Sequence, residues 1–212
     1  MTLPVDIHTH RLPDTPGTAI VNRSPQSFAP QAGHYYSVGI HPWHASEQAL
    51  TAHDIDLFSH PQVLAIGEAG ADKLAQAPLT QQLPLFEQQA RVAEHLHKPL
   101  IIHSVKATEP VLALKQALRP DSPWIIHGFR GKPQLAARYL HHGCYLSYGE
   151  HYPPESLLAT PLNRLLLETD ESRCPISQLY EQAAAVLGMP VGQLYGAVAE
   201  TVRALFFQAK RL

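Results

Sequence analysis

Six residues of this sequence have the types and positions that hold divalent cations: His8, His10, Glu68, His103, His127 and Asp170. Each stands at the end of a short apolar run, in the strings Asp6-Ile-His8-Thr-His10, Ile66-Gly-Glu68, Ile101-Ile-His103-Ser, Trp124-Ile-Ile-His127-Gly and Leu167-Glu-Thr-Asp170. Imidazole and carboxylate together suit Zn²⁺ or Mn²⁺, and Mg²⁺ where waters complete its shell. In an extended chain residues i and i+2 share a face, so His8 and His10 project together toward one ion. By the same alternation Glu168 lies on the face of Asp170 but deeper, leaving Asp170 at the mouth as the candidate base. Either His103 or His127 alone would read as a hydrogen-bonded histidine at the edge of a core. All six at the ends of apolar runs make a convergent metal site the better reading. A cation held there lowers the pKa of water and polarises a phosphoryl or carbonyl oxygen. His41, in Gly39-Ile-His41-Pro, also ends such a run and would face a substrate. The other histidines of the fourteen, His34, His44 and His151 among them, fall in loops or on helices and read as solvated.

Strands are needed to present these ends. Eight β-rich apolar runs recur, over residues 5–8, 18–21, 35–40, 63–68, 100–103, 124–127, 144–147 and 164–169. Helical spacing separates most of them: Leu83, Phe86, Ala90, Ala93 and His97 form one stripe within residues 80–97, and residues 107–118 and 133–142 are similar. Pro99, Pro120 and Gly143 stand just past these helices as stop signals, and two further helices over residues 176–187 and 191–207 close the chain. Alternating strands and helices imply a parallel sheet, and eight units close most simply as an α/β (β/α)₈ TIM barrel with its active site at the C-terminal rim. The proline-rich link over residues 11–17 is too short for a helix, so the first outer helix is expected to be missing. A doubly wound open sheet is the competing fold, but the Gly-rich phosphate turn it wants after its first strand is absent.

Length and composition fit one domain over residues 1–212: 45% of residues are hydrophobic and 16% charged. A formal charge of −2 excludes a bulk basic surface for gripping nucleic acid, though not a local patch. Cys144 and Cys174 form no CxxC pair, which excludes a cysteine-based zinc module and points to a reducing compartment. Met1-Thr-Leu-Pro-Val lacks the features of a signal peptide, and no apolar run approaches the roughly 20 residues that span a bilayer. A cytoplasmic, monomeric protein with no membrane partner is expected.

The motifs Asp-x-His-x-His, Gly-Ile-His-Pro, Ile-Gly-Glu-x-Gly, Ile-His-Ser, His-x-Phe-x-Gly and Leu-Leu-Glu-Thr-Asp follow one another from Asp6 to Asp170. In this order the chain resembles a short member of the TatD-type metal-dependent hydrolases, within the amidohydrolase-like barrels. The resemblance implies two divalent ions: one on His8, His10 and Asp170, a second on His103 and His127, with Glu68 bridging. It also implies a nuclease-like, deoxyribonuclease-type activity on a nucleic acid or nucleotide-like substrate. The family's Gly-Leu-Asp-Tyr stands here as Gly70-Ala-Asp-Lys73, its His-Ser-Arg as His103-Ser-Val105, and its His-Cys-Phe-Ser-Gly as His127-Gly-Phe-Arg-Gly131. Glu171-Ser172 replaces Ser-Pro after the aspartate, and the last helix lacks the family's asparagine near Glu200. The metal ligands are thus kept and the substrate shell is altered, with Lys73, Lys106, Arg130 and His41 as candidate phosphate contacts. Phosphodiester hydrolysis, with Asp170 and Glu68 as the catalytic carboxylates, is the leading expectation. The same site could serve a small-molecule amidohydrolase, lactonase or phosphoesterase. A metal-binding protein without catalysis would more readily have lost a ligand.

Overall fold

A computed structural model describes residues 3–45 and 49–207, so Met1 and Thr2 of the N-terminal reading lie outside the described residues. Eight strands follow in chain order: β1 (Asp6–Thr9), β2 (Ala19–Arg23), β3 (Tyr35–Val38), β4 (Val63–Asp72), β5 (Leu100–Val105), β6 (Trp124–Ile126), β7 (Tyr145–Tyr148) and β8 (Leu165–Leu167). Each pairs in parallel with the next, so spatial order equals sequence order. A parallel bridge between Thr9 and Asp170 joins the last strand's end to the first and closes the barrel. The runs Leu100–Ile102, Trp124–Ile126 and Leu165–Leu167 are buried throughout, as strands covered on both faces must be.

Outside lie α1 (Ala52–Phe58), α2 (Leu79–His95), α3 (Thr108–Leu118), α4 (Pro133–His141), α5 (Pro154–Leu158), α6 (Ile176–Leu187) and α7 (Val191–Phe206). No helix joins β1 to β2, as the short proline-rich link requires. The second outer helix is missing as well: between β2 and β3 there is one 3-10 turn, Pro25–Ser27, in a stretch interrupted by Pro25, Pro30 and Gly33. Helices α1 and α5 escaped the sequence reading because 7 and 5 residues are too few for a helical period to register. Local chemistry specifies α1 instead, through a capping box in which Asp54 N–H donates to Thr51 Oγ1 (3.2 Å) and Thr51 N–H to Asp54 Oδ2 (2.8 Å).

Strand β4 departs furthest from expectation. It runs on past Glu68 to Asp72, with an irregular register against β5 between Ile66 and Ala69. Close approach of the two backbones allows this. Gly70 has φ +142°, and a Cβ there would lie 2.1 Å from the His103 carbonyl oxygen. Among the described residues no helix is long and apolar enough to cross a membrane.

A candidate metal centre

The six candidate ligands meet at one end of the barrel, around Glu68. Strand ends bring them there: His8 lies within β1 and His10 just past it, Glu68 within β4, His103 within β5, and His127 and Asp170 just beyond β6 and β8. The two oxygens of Glu68 face different histidines. Its Oε2 stands 3.5 Å from His8 Nε2 and 3.6 Å from His10 Nε2. Its Oε1 stands 3.0 Å from His103 Nδ1 and 2.7 Å from His127 Nε2. Asp170 Oδ1 completes the first group, 3.6 Å from His8 Nε2 and 3.5 Å from His10 Nε2.

His8 is wholly buried, yet neither of its ring nitrogens has a hydrogen-bond partner; Nε2 stands at long range, 3.5 and 3.6 Å, from the Glu68 and Asp170 carboxylates. An orphaned buried nitrogen aimed between two carboxylates fits a divalent cation, and the nitrogen–oxygen donor set fits Zn²⁺, Mn²⁺ or Mg²⁺. A second layer fixes which nitrogen each ring offers. Asp72 Oδ2 lies 3.2 Å from His103 Nε2, leaving Nδ1 to face Glu68. Glu168 Oε1 lies 3.2 Å from His127 Nδ1 and accepts the Gly128 N–H at 2.7 Å, leaving Nε2 inward. Carboxylates holding the far side of ligating imidazoles are the usual support of a metal site. Asn22 steadies Glu68 itself: its Oδ1 accepts the Glu68 N–H at 2.9 Å and its amide donates to Oε2 at 3.3 Å.

Backbone geometry fixes Asp170. Its N–H donates to the His8 carbonyl (2.9 Å), its own carbonyl accepts from His10 N–H (3.2 Å), and its φ is +53°. The same contacts that close the barrel therefore present this carboxylate beside His8 and His10.

Charges in the cluster are strongly coupled. Burial would push the Glu68 carboxyl up, but charge on His127 and hydrogen bonds from His10, His103 and His127 hold it well below the usual carboxylate range. Burial likewise raises Asp170, and the His8 contact more than reverses that. Burial and repulsion from His127 oppose a proton on His8, yet Asp170 and Glu68 raise it to about 9. Burial also opposes a proton on His127, and Glu68 and Glu168 raise it well above its ordinary value. Both histidine shifts run in the direction that places positive charge beside the Glu68 and Asp170 carboxylates.

His41 lines the cavity, with Nε2 3.3 Å from Glu68 Oε1. Its Nδ1 accepts the Trp43 N–H at 3.1 Å, so the neutral ring carries its proton on Nε2 and acts as a donor. Burial pushes its pKa down, which favours that neutral form. Lys73, Lys106 and Arg130 are exposed and do not line this cavity; Arg130 borders a neighbouring depression beside Asp170 and Glu171. The cation that does line it is Arg23, half-buried at the end of β2, whose guanidinium donates to the His10 and Asn22 carbonyls at 3.0 and 2.7 Å. Arg23 and Asn22 end an apolar run as the ligands do, a signal that ending the strand at Val21 passed over.

The sequence model of the family described as TatD related DNase matches residues 22–207. This chain belongs to that family. Over 154 residues it is 33% identical to a Bacillus subtilis protein named as the uncharacterized metal-dependent hydrolase YabD, matching 66% of this chain and 58% of that one. A Cronobacter turicensis protein named as the 3′-5′ ssDNA/RNA exonuclease TatD is 34% identical, over 66% of this chain and 57% of its own. The chain spans little more than half the length of these two relatives. In fold it is similar to the Escherichia coli TatD homologue YjjV, with a TM-score of 0.80 at 20% identity over 90% of this chain and 86% of that one.

Proposed function

We propose that this TatD-family chain hydrolyses phosphodiester bonds in single-stranded nucleic acid or a nucleotide-like substrate, using two divalent ions. The observation that carries the proposal is the placement of Glu68, whose Oε2 faces His8 and His10 while its Oε1 faces His103 and His127, with His41 beside them. His8, His10 and Asp170 would hold one ion and His103 and His127 the other, with Glu68 shared. Bound divalent cations supply Lewis acidity that makes water a nucleophile at neutral pH and neutralises charge on phosphoryl oxygens. Asp170, kept ionised by its neighbours, accepts the proton of the attacking water. Arg23 and the Nε2–H of His41 donate to the non-bridging phosphate oxygens as charge builds on them. The nuclease names of several relatives support the substrate class.

The test is a 5′-labelled single-stranded oligonucleotide incubated with chelator-stripped protein reloaded with Mn²⁺, Zn²⁺ or Mg²⁺. Cleavage is expected with metal and not without it, and Glu68→Gln should lower the count of both bound ions while His127→Ala mainly affects one. Turnover of lactones or small phosphoesters in place of the oligonucleotide would replace this reading with the small-molecule one. That alternative draws on there being, among the described residues, a single guanidinium, Arg23, lining a cavity of about 420 Å³.

A further inference from the structure

Of the two tryptophans, Trp124 is fully buried and Trp43 is 58% exposed, beside the metal-ligand cluster. Trp43 lies in the turn after β3, Pro42–His44, and is held by its edge. Its indole N–H donates to Asp72 Oδ2 at 2.7 Å, and its ring packs edge-on against His41 at 4.9 Å. Helix α2 clamps Asp72 and the residue before His41. Buried Gln82 exchanges hydrogen bonds with the backbone of Asp72 (2.7 and 2.9 Å), and buried Gln89 does the same with Ile40 (2.7 and 3.0 Å). The indole is therefore fixed in orientation while much of it stays in water.

A second depression of about 520 Å³ adjoins the metal cavity, sharing Trp43 and His103 as its wall. Leu74, 66% exposed, Ala75 and Val105 give it an apolar lining. Its charged lining residue is the Asp72 carboxylate, and among the described residues no Lys or Arg lines it. A phosphate would be repelled there, whereas a flat neutral ring would cover the exposed indole and leucine.

We propose that Trp43 and Leu74 form a base-stacking subsite, in which the nucleobase flanking the scissile phosphodiester lies against the indole. Stacking on an aromatic platform tolerates any base sequence, because every base presents a π face. This inference rests on the phosphodiesterase reading for its ligand, and binding can be measured without hydrolysis.

The probe is a short oligothymidylate with hydrolysis-resistant phosphorothioate linkages, titrated into metal-loaded protein and compared with an abasic strand of the same backbone. Because Trp124 is buried, quenching of tryptophan emission reports on Trp43. The base-bearing strand should quench and bind more tightly than the abasic one. With the reporter indole removed, binding by the variants is followed by titration calorimetry: Trp43→Ala should weaken binding about 5- to 150-fold and erase the preference. Trp43→Phe, which keeps a ring and loses the N–H, should retain most of the preference. Equal losses in both variants, on both strands alike, would mean that Trp43 acts only by holding Asp72, and would overturn the subsite. Equal binding of the two strands by the parent protein would overturn it as well. Base-dependent quenching in a protein that cleaves no phosphodiester would support the subsite and overturn the nuclease reading alone.

Discussion

At Asp170 the roles of ligand and proton acceptor can be separated. Asparagine is nearly isosteric and keeps an oxygen that can ligate, but it cannot take a proton. Asp170→Asn should keep the fold and most of the metal while losing about 10²–10⁴ in kcat, the usual worth of general acid–base catalysis. A metal titration carried to saturation decides: recovery of near-parent kcat there would leave Asp170 a ligand only. Protonation gives a second test. His8, raised to about 9, and His127, raised as well, hold protons that a cation must displace. A raised histidine pKa means that the metal-free site is protonated at neutral pH. Metal affinity should therefore rise with pH through neutrality, about tenfold per pH unit for each proton displaced, and the His8 contribution should level off above about 9. Calorimetry in two buffers of different ionisation enthalpy would count the released protons, and metal uptake that releases none at pH 7 would contradict protonation of His8 and His127 in the metal-free site.

Among the elements, β4 carries the greatest burden, since it presents both Glu68 and Asp72 and lies against β5 at a distance only glycine permits. Gly70→Ala combines a φ of +142° with a Cβ 2.1 Å from the His103 carbonyl oxygen. It should cost at least about 1–3 kcal/mol in denaturant unfolding and weaken metal binding through the displaced His103. Gly196→Ala in α7 is the contrast, because nothing lies within 4 Å of its added Cβ. That change should stabilise by about 0.5–1 kcal/mol and leave metal binding alone. Equal stability of the two variants would show that β4 and β5 can move apart without loss.

For the whole molecule, the proposed ions would tie together ligands from five strands and both sides of the closure between β1 and β8. A cation that binds only the folded barrel stabilises it by about 2.7 kcal/mol at a hundred times its Kd. In a chain of this size that raises Tm by about 5–10 °C. Differential scanning calorimetry of metal-loaded and chelator-treated protein measures the difference. An unchanged Tm in protein shown to have lost its metal would mean that the ligands are held in place without ions.

The eight strands, their parallel order and the six converging side chains follow from the sequence by itself, because an apolar run and the polar residue that ends it are local features. The same locality made the resemblance to TatD hydrolases legible from short motifs in order. Tertiary structure decided what depends on neighbours distant in sequence. Which nitrogen of His103 and His127 faces inward is set by Asp72 and Glu168. Which cation reaches the cavity was also undecided by the sequence: Arg23 at the end of β2 lines it, and Lys73, Lys106 and Arg130 do not. Trp43 has its place for the same reason: its orientation is set by Asp72, brought within reach only because β4 runs on past Glu68. A side chain's type fixes what it can do, but the packing of strands from across the barrel fixes what it can reach.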